Sequence, residues 1–259
     1  ATVSNPRRSS TRTHGASRDQ TENDRAANTD TDSATWGDSL LIPKPDNTFR
    51  FIFQNIQGIP INPQSHKHQQ ISTALKETAA DVFGMAEINL NFGVLGPAFQ
   101  WTERFRNLPR NHSIHTYNRH DSSTKKTLFG GTAQISTGAC SHRVIQSGSD
   151  VTGMGRWVWT LYAGRNNTKL RVISGYRPNP DHTDRPGTVY SQQERHLSSI
   201  RDNRNPRRAF IKDLDKEIKK WMSEGNLLII GMDANDNVRT GDVNAMLQNR
   251  GLLDVHALQ

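Results

Sequence analysis

The stretch from Leu227 to Asn237, LLIIGMDANDN, sets four apolar residues and a Gly-Met step in front of two carboxylates and two carboxamides. A short apolar run closed by Gly reads as a buried strand, so a hydrophobic strand delivers Asp233 and Asn235 to one edge of a sheet. Three other segments run out the same way: FIFQN at Asn55, VFGMA at Glu87 and KLRVISGY at Tyr176, with Gln57, Arg177 and Asn179 just beyond. These positions combine a Glu and an Asp, several amides, a phenol and an Arg, without Cys or a His pair at ligand spacing. Hard oxygen donors of this kind suit Mg2+ or Mn2+ and not zinc. Such a cation polarises a phosphoryl oxygen, and an Asp off the metal can activate water, which makes phosphodiester hydrolysis the chemistry within reach. Each residue also has a plainer reading: turn or cap for Asn55 and Asn235, solvated strand end for Glu87, packed aromatic for Tyr176.

The elements that must carry these groups are legible as a mixed α/β domain. FIFQN alternates as a strand does, Gln69 to Ala80 carries apolar residues at helical spacing, and VFGMA follows, which is the length of a βαβ unit. LFGGTAQIS (Leu128 to Ser136), RVIQSG (Arg143 to Gly148) and RWVWTLYAG (Arg156 to Gly164) read as strands. Arg165, Asn166 and Asn167 supply turn chemistry before Lys169 to Pro178, so the last two strands form a hairpin. Trp157, Trp159 and Tyr162 are read as sheet packing. Asp181 to Gly187 is a loop, and one helix covers Val189 to Arg201. A second begins at Asn205 as N-cap with Pro206 behind it. It buries Phe210, Leu214, Ile218 and Trp221, pairs Asp215 with Lys219, and closes at Gly225. Strand ends are where open sheets collect ligand-binding groups, because a rigid element aims the side chain.

In this order the motifs FQNIQGI, MAEINL, FGGTA, SGYRPNP and GMDAN resemble those of the endonuclease/exonuclease/phosphatase superfamily, which includes DNase I and the exonuclease III type apurinic/apyrimidinic endonucleases. The match runs from about Phe51 to Asp254; each motif is weak alone, and the five together are specific. The resemblance implies a two-sheet α/β sandwich of the DNase I-like, four-layer kind. It implies that Glu87 binds a divalent cation, Mg2+ or Mn2+, with Asn55 beside it. Asp233 would activate the attacking water, Asn235 would hold the phosphate or position Asp233, and Tyr176 would contact the phosphate. Asn179, Arg177 and Gln57 are the remaining candidates for phosphate and substrate contacts. Gln57 stands where many apurinic endonucleases have Asp, which puts an outer carboxylate in doubt, and Met232 separates Gly231 from Asp233. The family completes its site with a late Asp on a further strand and a C-terminal Asp-His pair, and the sequence ends at Gln259 before either. His256 precedes that strand and lacks the adjoining Asp. The expectation is a fold incomplete at its C-terminus, with very weak or no hydrolysis by this piece alone.

Residues 1–35 contain no Leu, Ile, Met, Phe, Tyr or Trp, so residues 1–46 are expected to be a disordered polar tail and 47–259 the domain. The tail holds 6 Lys+Arg against 7 Asp+Glu and the rest 27 against 18, so the net charge of +8 belongs to the folded part. A basic domain fits a polyanion, and DNA is the partner expected. The stretch from YSQQ into LLIIGMDAN resembles the endonuclease domain of non-LTR retrotransposon polyproteins, which implies target-DNA nicking, a reverse transcriptase downstream and a nuclear site of action. Ala1 in place of Met and the stop at Gln259 suggest a fragment. A phosphatase or phospholipase of the same fold, or a degenerate nucleic-acid-binding module without catalysis, remains as the alternative. Cys140 is alone, which excludes an intramolecular disulfide. No apolar run reaches the ~20 residues that span a bilayer, and no secretion signal precedes the domain. His66 and His68 are read as solvated, and RDNRNPRR (Arg201 to Arg208) as a solvated loop in preference to a phosphate-contacting arm.

Overall fold

The computed structural model describes residues 43–96, 99–105, 107–108, 111–180 and 187–255. Most of the expected tail, the first six residues of the Asp181 to Gly187 loop and His256 lie outside them. Within them the βαβ unit forms as read: β1 (Phe51–Asn55) and β2 (Val82–Ala86) pair in parallel, Asn55 opposite Ala86, across α1 (His66–Glu77). The helix begins three residues earlier than its apolar spacing indicates, because Ser65 caps it by accepting from the Lys67 N–H. This start turns His68 inward, where it is 1% exposed and its Nε2 lies 2.9 Å from the Pro60 carbonyl oxygen, so the solvated reading holds for His66 and is corrected for His68.

Two short helices follow, α2 (Phe92–Leu95) and α3 (Trp101–Arg104), and then a strand with no strong sequence signal, β3 (His112–Thr116). It pairs antiparallel with β4 (Thr132–Ser136). Leu128 to Gly131, read as the start of that strand, is loop. Gly130 and Gly131 take φ of 93° and 78°, and a Cβ on Gly131 would stand 2.7 Å from the Thr116 carbonyl oxygen. After α4 (Gly138–Ser141) the chain enters the second sheet through β5 (Val144–Ser149), β6 (Trp157–Ala163) and β7 (Lys169–Tyr176). The β6–β7 hairpin turns on Asn166 and Asn167, both left-handed. The crossover helices α5 (Val189–Ser199) and α6 (Pro206–Ser223) then return the chain to β8 (Asn226–Asp233), parallel to β7. Beyond β8 lies α7 (Asp242–Asn249).

The strand orders are β1-β2-β4-β3 and β5-β6-β7-β8. The two mixed sheets face each other, with α1 and α3 packed outside the first and α6 and α7 outside the second. This is the α/β sandwich that the motifs imply. Gln134 stitches the sheets: its amide nitrogen donates to the Val172 carbonyl and to Ser174 Oγ, and its oxygen accepts from Thr160 Oγ1. The stripe Phe210, Leu214, Ile218 and Trp221 is buried as expected, against Trp157 and Ile173. Asp215 departs from expectation. Its carboxylate accepts from Arg250 Nε and Nη2, both at 2.6 Å, because a bidentate guanidinium is a better partner than a lysine one helical turn away. Among the described residues no helix is long and apolar enough to cross a membrane.

Candidate active site

Four strand ends from two sheets meet at one edge. In the first sheet β1 ends on Asn55 and β2 is followed by Glu87; in the second the parallel pair β7 and β8 sets Tyr176 opposite Asp233. One contact joins the two: Asn55 Nδ2 donates to Asp233 Oδ2 at 2.7 Å, across 178 residues of chain. The Asn55 oxygen accepts from the Gln57 N–H at 3.0 Å, which fixes the amide so that its nitrogen faces the carboxylate. Asn55, expected beside the cation, donates to the Asp233 carboxylate in this arrangement.

Tyr176 lies beside this link. It is 4% exposed, and burial first, then the nearby Glu87 carboxylate and the charge of Asp233, push the phenol far above its ordinary value. The phenol therefore keeps its proton. Asn235 Nδ2 donates to the Arg177 carbonyl at 2.7 Å, and its backbone N–H reaches Asp233 Oδ1 at 3.3 Å. Direct hydrogen bonds thus join Asn55, Asp233, Asn235 and the Arg177 carbonyl, with Tyr176 and Glu87 beside them.

The backbone is unusual at the same places. Gln57, Glu87, Asn89 and Asn235 have φ of 48°, 52°, 55° and 45°. Left-handed geometry is ordinary for Asn and costly for Glu or Gln, and such outliers cluster at functional sites. Neighbouring groups hold the turn at Glu87: its carbonyl accepts from the Gly58 N–H, and Asn89 Oδ1 accepts from the Gly130 N–H at 2.7 Å.

Arg177 and Asn179 are placed differently from the rest. The Arg177 guanidinium is 2% exposed and donates to Asp236 at 2.6 Å and Asp242 at 3.4 Å, so it braces the loop after β8. Asp236 is thus an ion-pair partner, and it also accepts from the Val243 N–H at the start of α7. Asn237 forms the turn that follows, its side-chain oxygen accepting from the Arg239 and Thr240 N–H groups. Asn179 and Gln57 are exposed beside the cluster. The residues that sequence reading missed are braces: Asn89, Asp236 and Arg156. The last is wholly buried, bidentate to Asp150 and bonded to Asp213, and its carbonyl accepts from the Tyr176 N–H at 2.8 Å. The Asn of MAEINL was the one visible signal for any of them.

For a cation, the donor set is Glu87 and Asp233 with amide and phenol oxygens around them. Among the described residues no group of three or more His, Cys, Asp or Glu could enclose a metal. Such a set fits Mg2+, which takes one or two carboxylates and completes its shell with water and substrate phosphate, and does not fit an ion that needs an all-protein cage.

No family model matches the chain, and no curated protein matches it. Among solved structures, the catalytic domain of human Nocturnin with a bound sulfate anion is similar in fold, with 11% identity and a TM-score of 0.50 over 79% of this chain and 69% of that one. The 3′ phosphatase NExo from Neisseria, bound to a product DNA hairpin, is 15% identical with a TM-score of 0.47 over 73% of this chain. An AP endonuclease from Archaeoglobus fulgidus is 15% identical with a TM-score of 0.47 over 74% of it. The chain spans 58% of the Neisseria protein's length and 60% of the Archaeoglobus protein's.

Proposed function

We propose that the chain is the phosphodiester-cleaving domain of a nuclease that acts on DNA with Mg2+ or Mn2+. The observation that carries this reading is the Asn55–Asp233 hydrogen bond between the two sheets, with Asn235 bonded to Asp233 and with Glu87 and the buried Tyr176 at the same edge.

In this reading Glu87 holds the cation, which when bound supplies charge neutralisation on the phosphoryl and leaving oxygens. Asp233, fixed by the Asn55 amide, accepts the proton of the attacking water. The water oxygen bonds to phosphorus, the bond to the leaving sugar oxygen breaks, that oxygen takes a proton from solvent, and the products are a phosphate monoester and a hydroxyl. Tyr176 keeps its proton and donates a hydrogen bond towards a phosphoryl oxygen, while Asn235, bonded to Asp233 and to the Arg177 carbonyl, fixes the chain that follows Tyr176. Rigid placement of charge partners is the main thing a protein can add to phosphoryl chemistry.

DNA is favoured over a soluble inositol phosphate or a lipid headgroup because the residues after 46 hold 27 Lys+Arg against 18 Asp+Glu. The retrotransposon-type motifs extend the proposal: target-strand nicking by a parent protein in which a reverse transcriptase follows this domain. The test is conversion of supercoiled plasmid to open circles by that parent protein with Mg2+. Nicking that stops with EDTA and in Glu87→Gln supports the reading; hydrolysis of a lipid or inositol phosphate with no action on DNA overturns it.

A further inference from the structure

A groove of about 580 Å³ lies between the first half of α6 and α7, outside the cluster of strand ends. Five cationic side chains line it: Arg177, Arg207, Arg208, Lys212 and Arg250. Two carboxylates, Asp215 and Asp242, line it with them. Asp215 is taken up by the bidentate Arg250, and the 81% exposed Asp242 stands 3.4 Å from Arg177. Asp236 serves Arg177 at 2.6 Å and Arg207 at 3.7 Å, so two guanidinium groups share one carboxylate. Arg208 and Lys212, one turn apart and exposed, make no side-chain hydrogen bond or ion pair among the described residues. Positive charge in this groove therefore exceeds what the protein compensates.

The groove is also built, and not only charged. Arg177 is 2% exposed, and its buried Nε has no hydrogen-bond partner among the described residues, an arrangement that costs free energy. Ile211 and Met246 supply apolar lining beside the cations. Burial, then the charge of Arg177, lowers the Arg207 pKa against the opposing pull of Asp236 and Asp242.

Its position links it to the strand-end cluster. Arg177 directly follows Tyr176, and its carbonyl accepts from Asn235. Arg207 Nη1 donates to the Pro178 carbonyl at 2.7 Å. The loop that presents the phenol on one side thus forms the wall of the groove on the other. We propose that the α6–α7 groove is a second, non-catalytic phosphate-binding site that holds the sugar-phosphate backbone of a nucleic acid engaged at the strand ends. This rests on the nuclease reading. It also revises the reading of RDNRNPRR: Arg204 is committed to Asp202 and Asp213, whereas Arg207 and Arg208 turn to the groove.

The experiment is equilibrium binding of a fluorescent DNA duplex without divalent cation, followed as salt rises from roughly 50 to 200 mM, where counterion release makes log K linear in log salt. The Arg208→Ala/Lys212→Ala double variant is expected to weaken binding and to lower the slope by about 1.8, two phosphate contacts at ~0.9 each. Lys219→Ala/Lys220→Ala, which removes the same charge from α6 outside the groove, is expected to keep the wild-type slope. Both pairs are exposed, so the variants should melt within a degree or two of wild type. Equal losses in the two doubles, no loss in the groove double, or no duplex binding by the wild type overturns the proposal. So does loss of polyglutamate binding with duplex binding intact, which would assign the groove to an acidic protein. Nicking with an unchanged slope leaves the nuclease reading standing and this one fallen; a reduced slope without nicking does the reverse.

Discussion

Asn55 and Asp233 show how little of a site needs to be chemically exotic. An amide 2.7 Å from a carboxylate lowers the cost of holding that carboxylate still, and Gln57 prevents the amide from turning. Asn55→Asp replaces that donor with a second negative charge facing Asp233, so the cleavage rate should fall by at least about 10-fold with duplex affinity unchanged, and a wild-type rate means Asn55 does not act through Asp233. Tyr176→Phe keeps the packing and removes the hydroxyl proposed to reach the phosphate, so the rate should fall about 10–100-fold, of the order seen for loss of a transition-state donor. A full rate in that variant would remove the phenol from the account. The candidate groups were readable because each stands at the end of a recognisable strand. Their braces were not. Arg156 meets Asp213 across 57 residues and Arg177 meets Asp236 across 59, and no local pattern marks such partners. Arg156→Met would strand Asp150 as a buried charge and should cost about 3–5 kcal/mol in urea unfolding.

At the scale of elements, what the sequence shows depends on whether local pattern and tertiary context agree. β1, β2, β7 and β8 combine apolar runs with clear stops, and each ends where its pattern ends. β3 is HSIHT, too polar to announce itself, and exists because β4 offers it a full antiparallel register from His112 opposite Ser136 to Thr116 opposite Thr132. The approach of the sheets was equally hidden, since it depends on Gly231 facing Phe51 and Phe53 and on Gln134 between them. A Cβ on Gly231 would stand 2.7 Å from a Phe51 ring carbon and 2.8 Å from the Phe53 Cβ. Gly231→Ala should therefore destabilise by about 1–3 kcal/mol through overpacking. Gln134→Leu leaves the Thr160 and Ser174 hydroxyls short of a partner inside the sandwich, with a cost of about 1–3 kcal/mol. Denaturation midpoints unchanged in both variants would show that the sheets are not held as described.

Over the whole molecule, charge and protonation set the conditions under which the domain works. His115 accepts from Trp101 Nε1 at 2.8 Å and stacks on Phe92, and burial brings its pKa down to about 4. The unfolded chain binds that proton near pH 6.5 and the folded one does not until about pH 4, so stability is lost as pH falls through this window. His68 and His112, also lowered by burial, act in the same direction. Melting temperatures should drop between pH 6.5 and 4, and His115→Gln, which keeps an acceptor for Trp101, should flatten the drop; an equal slope in the variant assigns the effect elsewhere. The most direct measurement of the central claim is the single-turnover rate of DNA cleavage by the parent protein, wild type against Asp233→Asn, with saturating Mg2+. The account predicts a rate lower by at least about 100-fold with duplex affinity unchanged, the signature of a group needed only in the transition state. Cleavage at the wild-type rate by Asp233→Asn would contradict it.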